Sequence, residues 1–81
     1  VGHKDPVNFV APSPIDDRMV SASNDGTALI WDQHTHELVA PALRGHRDWV
    51  KSANFSTDGK LIVTASNDGT ARVWILEIRL R

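Results

Sequence analysis

Shifting the 81-residue sequence by 43 positions lays one half over the other without a gap, which restricts the chain to a repeat architecture. Val20-Ser21-Ala22-Ser23-Asn24-Asp25-Gly26-Thr27-Ala28-Leu29-Ile30-Trp31 falls on Val63-Thr64-Ala65-Ser66-Asn67-Asp68-Gly69-Thr70-Ala71-Arg72-Val73-Trp74, identical at nine of twelve positions. Gly2-His3 falls in the same way on Gly45-His46. The units divide the chain into residues 1–43 and 44–81.

Within the second unit the pattern separates into short apolar runs. Residues 49–55, 61–66 and 71–75 read as strands, with Ser56-Thr57-Asp58-Gly59 and Asn67-Asp68-Gly69 between them. Asp-Gly between apolar runs is a hairpin signal, because glycine accepts positive φ and aspartate tolerates the left-handed region. Each unit therefore reads as an antiparallel meander. A fourth strand is expected at residues 37–43 and, in the second copy, at 76–80. The first unit departs at its first hairpin, where Pro12 and Pro14 replace Phe55 and Thr57, and the turn carries Asp16-Asp17 where the second unit has an Asp58-Gly59 turn. Proline donates no ladder hydrogen bond, so that hairpin is expected to be irregular.

These residues resemble the WD-repeat family of β-propellers. The resemblance rests on Gly2-His3 with Trp31-Asp32 and on Gly45-His46 with Trp74-Ile75, each with 28 residues from His to Trp. Ile75 departs from the closing Asp of that pattern. The resemblance implies an all-β fold of two four-stranded antiparallel WD-repeat blades, 1–43 and 44–81, both parts of one propeller domain.

The second strand of each unit, residues 19–23 or 61–66, is uncharged and does not alternate apolar with polar, as expected of a strand covered on both faces. Two blades cover only the faces they share, whereas a ring takes roughly four to eight. The outer faces of an isolated pair would remain wet and apolar. Two resolutions stay open: the chain is a portion of a longer propeller, or copies of a two-blade protomer close into a ring. The Val1 start and the Arg79-Leu80-Arg81 ending favour the first.

Composition narrows the function. Nine Lys and Arg against ten Asp and Glu leave no basic excess, so neither nucleic acid nor an anionic membrane is an expected partner. The apolar runs are only a few residues long, far short of a spanning helix. The absence of cysteine excludes a disulfide scaffold and cysteine-based zinc sites, and it is compatible with a cytoplasmic setting. Charge is uneven: residues 1–43 carry two Lys and Arg against six Asp and Glu, a net −4, and residues 44–81 carry seven against four, a net +3. Neighbouring blades of opposite sign attract modestly, although charges on solvated loops contribute little.

His3, Ser21, Asp25 and Trp31 have the residue types of a catalytic set, but His46, Thr64, Asp68 and Trp74 repeat them. A catalytic centre requires one asymmetric pocket, so repetition points to a structural device and no enzymatic activity is expected. The family resemblance implies a buried hydrogen-bond network that ties the Gly-His loop to its blade. Ser23 and Ser66 are alternative hydroxyls for that role. His34-Thr35-His36-Glu37 is the one segment with metal-ligand residue types; without a fourth ligand and without a counterpart in the second copy it reads as an exposed polar turn, so no metal or cofactor is expected.

What remains is the loop surface that, by the resemblance, opens at one end of the propeller and holds partner proteins or peptides. Lys4, Asp5, Asn8 and Asn24 fall there in the first unit, and Arg47, Asp48, Trp49, Lys51 and Asn67 in the second. Trp49 and Arg47 are of the types that dominate interface energies. Packing between blades is the competing role for Trp49. The expected function is a non-catalytic protein–protein interaction scaffold, whose partners are other proteins, peptides or further WD-repeat blades.

Overall fold

The computed structural model of the chain describes residues 4–39 and 42–76. These residues contain no helix. They form six strands: β1 (Val7–Pro12), β2 (Arg18–Ser23), β3 (Ala28–Asp32), β4 (Val50–Phe55), β5 (Leu61–Ser66) and β6 (Ala71–Ile75). β1-β2-β3 and β4-β5-β6 are two three-stranded antiparallel sheets, each a simple meander. The repeat survives in register. Val20 faces Ile30 as Val63 faces Val73, and β1 and β4 carry the same irregularity, between Val7 and Phe9 in one sheet and between Val50 and Ser52 in the other.

Both sheets turn from second to third strand over Asp-Gly, with φ of 85° at Gly26 and 87° at Gly69. Their first hairpins differ. At Gly59, φ is 73° and its amide donates to the Ser56 carbonyl at 2.9 Å. In the first sheet the outer bond is kept, Ser13 N–H to Arg18 carbonyl at 2.8 Å, but Asp16 fills the interior with its side chain, accepting from the Arg18 amide and guanidinium.

The expected fourth strand is only partly seen. Leu38 and Leu43 bridge singly to Trp31 and Ala28 at the edge of β3, with Val39 N–H donating to the Ile30 carbonyl at 3.0 Å. The counterpart at 76–80 lies, beyond Leu76, outside the described residues.

The sheets pack face to face. Alternation places Ala11, Val20, Ala22, Ala28 and Ile30 on one face of the first sheet, and these meet Val50, Ala53 and Ile62 of the second in the common core. The interface is pinned at its edges. Asn8 Nδ2 donates to the Val50 carbonyl at 3.1 Å, and Arg18 donates to the Gly59 carbonyl at 3.1 Å while its guanidinium lies 5.3 Å from the centre of the Phe55 ring.

Burial corrects one expectation. Val20 to Ser23 of β2 are all buried, but β5 does not match them, because Val63 is 43% exposed. The two strands share Val, Ala and Ser at equivalent positions. Only β2 has a neighbouring sheet over its Val20 face.

Candidate functional site

In the second sheet, His46, Thr64, Asp68 and Trp74 form one hydrogen-bonded chain. Trp74 Nε1 donates to Thr64 Oγ1 at 2.9 Å, and His46 Nε2 lies 2.7 Å from the same hydroxyl. His46 Nδ1 lies 3.1 Å from Asp68 Oδ2. The neutral imidazole with its proton on Nδ1 satisfies every partner: it donates to Asp68, and Nε2 accepts the Thr64 hydroxyl proton. The register positions these groups. Ile62 pairs with Trp74 and Thr64 with Arg72, so Thr64 and Trp74 point to the same face of the sheet, where His46 lies buried against them.

Asp68 closes the chain at the turn. Its Oδ2 also accepts the Arg47 amide at 3.0 Å, and its Oδ1 accepts the amide and hydroxyl of Thr70. The Thr70 hydroxyl and the Arg47 amide, with help from His46, hold the Asp68 carboxyl far below the usual carboxylate range against an opposing desolvation effect.

The first sheet repeats the described part. Trp31 Nε1 donates to Ser21 Oγ at 2.9 Å, Asp25 Oδ2 accepts the Lys4 amide at 3.0 Å, and Asp25 Oδ1 accepts the Thr27 amide and hydroxyl. His3 lies outside the described residues. Ser23 and Ser66 serve elsewhere. Ser23 Oγ donates to the Asp5 and Pro6 carbonyls and accepts the Asp25 amide, and Ser66 Oγ donates to the Asp48 carbonyl and accepts the Asp68 amide.

Thr27 and Thr70 are not among the expected network residues, yet each holds its aspartate from both amide and hydroxyl. Their signal is present in the repeated Asn-Asp-Gly-Thr. Among the described residues no buried side-chain nitrogen or oxygen lacks a partner.

His34 and His36 belong to a surface turn. Asp32 Oδ1 accepts the amides of His34 and Thr35, which lowers the Asp32 pKa, and His34 Nε2 pairs with Asp17 at 2.8 Å in the open. Among the described residues no group of three or more His, Cys, Asp or Glu is placed to hold a metal ion.

The loop-surface residues divide into two kinds. Asn8 and Asn24 bond each other, and Asn8 also bridges to the second sheet. Asp5 and Asp48 hold the entry loops by their carbonyls, with Asp48 Oδ1 also accepting the Trp49 amide at 2.7 Å. Trp49 is not packed away between the sheets. It is 48% exposed and, with Asn8, Lys51 and Asn67, lines an open cleft across the junction of the two sheets. Lys51 is exposed and makes no ion pair among the described residues. The cleft offers an aromatic surface, one cation and amide groups, a combination suited to binding rather than to bond-making.

The model of the family "WD domain, G-beta repeat" matches residues 1–32 and 37–74. The chain is 42% identical over 43 residues to the human WD repeat and SOCS box-containing protein 1, a match spanning 53% of this chain and 10% of that protein. It is 40% identical over 60 residues to the Lissencephaly-1 homolog of Caenorhabditis briggsae, spanning 74% of this chain and 15% of that protein. The matches therefore cover a small part of these relatives' length.

Proposed function

The chain belongs to the WD-repeat family, and from that premise we propose that it is a non-catalytic scaffold whose contact surface is the cleft around Trp49. Repeats of this family serve generally in protein–protein interaction, which is the coarser statement on which this reading builds. The two sheets are, on this proposal, the described parts of four-stranded propeller blades, 1–43 and 44–81. The partner is a protein or peptide.

The observation that carries the reading is the division of labour among the polar residues. Those with catalytic residue types are consumed by a repeated hydrogen-bond chain, while Trp49 and Lys51, whose counterparts are Pro6 and Asn8, are exposed at the cleft. A contact that is specific to one partner belongs on unrepeated residues. Arg47, the counterpart of Lys4, commits its amide to Asp68 and leaves its exposed guanidinium beside the same loop.

Replacing Trp49 and Arg47 together by Ala should weaken partner binding by about 2 kcal/mol or more, as for clustered anchors. Calorimetric titration with a purified partner reads the affinity, and thermal melting of the same variant reads the fold. Unchanged affinity, or a melting loss large enough to account for the binding loss, removes this surface from the functional reading.

A further inference from the structure

We propose that the uncovered face of the second blade docks on the opposite, uncovered face of the first blade of a second copy, so that copies of this chain join head to tail. This rests on reading the two sheets as blades, and not on the cleft around Trp49.

The molecule itself shows what covers such a face. Across the 43-residue offset, Val20, Ala22, Ala28 and Ile30 of the first blade correspond to Val63, Ala65, Ala71 and Val73 of the second. Val20 and Ile30 are 0% and 1% exposed, whereas Val63 and Val73 are 43% and 62% exposed, and Ile75 on the same face is 80% exposed. The difference is the second blade itself, which lays Val50, Ala53 and Ile62 over the first set.

The covering surface also has a free counterpart. Val50 and Ala53 are 0% exposed, while their equivalents Val7 and Val10 are 49% and 53% exposed, with Met19 half-buried in the place of Ile62. Each chain thus carries one junction made within itself and the two unmade halves of a second. Apolar area left open on both sides of a preformed shape drives association.

The edge contacts transfer with substitutions. Lys51 stands where Asn8 donates to the Val50 carbonyl, and so keeps a donor for the Val7 carbonyl of the next copy. Leu61 and Pro12 stand where Arg18 and Phe55 meet, which replaces a cation–aromatic contact by an apolar one. The first unit is net −4 and the second net +3, so head-to-tail order places opposite charges together at every junction.

The two docking faces differ from each other, so the contact is heterologous and either closes into a ring or continues as a filament. A two-blade protomer closes only rings of even blade number. With roughly four to eight blades per propeller, the closed species contain about two, three or four copies.

The test is native mass spectrometry of the 81-residue chain across a dilution series, with far-ultraviolet circular dichroism alongside. Discrete species at two, three or four times 8.9 kDa are expected. Val63→Asp with Val73→Asp should abolish them, as should Val7→Asp with Val10→Asp on the other face. Mixing these two variants leaves one competent junction and should restore a species of two chains and nothing larger. A folded wild-type monomer, a heterogeneous or unfolded wild type, or a mixture that forms no two-chain species overturns the proposal, the first of these in favour of a blade from elsewhere in a longer chain. Trp49→Ala with Arg47→Ala should leave the number of chains per species unchanged, so the cleft reading and this one fail separately.

Discussion

The two sheets, blades on the reading proposed above, share the sequence of their second and third strands and the same register, yet one has a face fully inside the core and the other has the equivalent face in water. Val20 and Val63 occupy one position of the unit, as do Ile30 and Val73, and their exposures differ by 43 and 61 percentage points. Local pattern therefore defines a face that can be buried, and the neighbour decides whether it is. The hydrogen-bond chain behaves differently. The Trp31–Ser21 and Trp74–Thr64 bonds are both 2.9 Å, because each is made within one blade and needs no neighbour.

The widest separation between the blades is expected from truncating this face. Ile30→Ala removes a side chain that is 1% exposed and should cost about 3 kcal/mol. Val73→Ala, at 62% exposure, should cost less than about 1 kcal/mol in dilute solution. Urea midpoints of the two variants check the difference. Repeating them at rising protein concentration sharpens it, since a face covered by a second copy makes Val73→Ala progressively more costly. Equal costs in dilute solution would break the comparison.

A second test concerns what the blades share. Asp25 and Asp68 each accept an entry-loop amide and both donors of the following threonine, so Asp25→Asn and Asp68→Asn should both lower the urea midpoint, by less than Ile30→Ala does. For Asp68 the sign with pH is fixed by its lowered folded-state pKa. Its stabilising contribution is complete above the unfolded value, near 4, and is lost as the pH falls below that toward the much lower folded value. Midpoints measured between about pH 6 and pH 2.5 should therefore fall more steeply in the wild type than in Asp68→Asn. Parallel profiles would show that the carboxylate is not held by these bonds.

Much of this architecture is legible in the amino-acid sequence. The 43-residue offset, Asp-Gly at three turns and the uncharged runs of the second strands are sufficient for the meanders, and β5 and β6 fall on the expected residues. The repeated His, Thr, Asp and Trp also identify groups that meet in the second blade. Three features are not legible. Strand alternation puts Thr64 and Ser66 on one face, so it does not choose between their hydroxyls; the pairing register does, by placing Thr64 next to the indole. Arg18 acts across the blades, on Phe55 and Gly59, and a pattern within one unit holds no sign of a contact with the next. Asn8 reads as a surface amide but bridges the same junction through the Val50 carbonyl.

The smallest effect isolates the neighbour from the backbone. Gly26 and Gly69 turn the two blades with φ of 85° and 87°, so replacing either by Ala incurs nearly the same left-handed strain, about 1 kcal/mol. Their surroundings differ. A methyl group at Gly26 would lie 3.2 Å from the His46 carbonyl oxygen and 3.5 Å from that of Asp48, on the entry loop of the second blade, whereas at Gly69 nothing lies within 4 Å. Gly26→Ala should thus be the more destabilising by a few tenths of a kcal/mol to about 1 kcal/mol, with the shared strain cancelling in the difference. Midpoints in a background carrying Val63→Asp and Val73→Asp, where no second copy covers the outer face, give that difference directly. In the unaltered chain at high concentration it should shrink, because the next copy brings Asp5, the counterpart of Asp48, toward the Gly69 turn. A difference that is absent in the uncovered background would show that the entry loop yields to the added methyl, and that the two turns are held by their own blades alone.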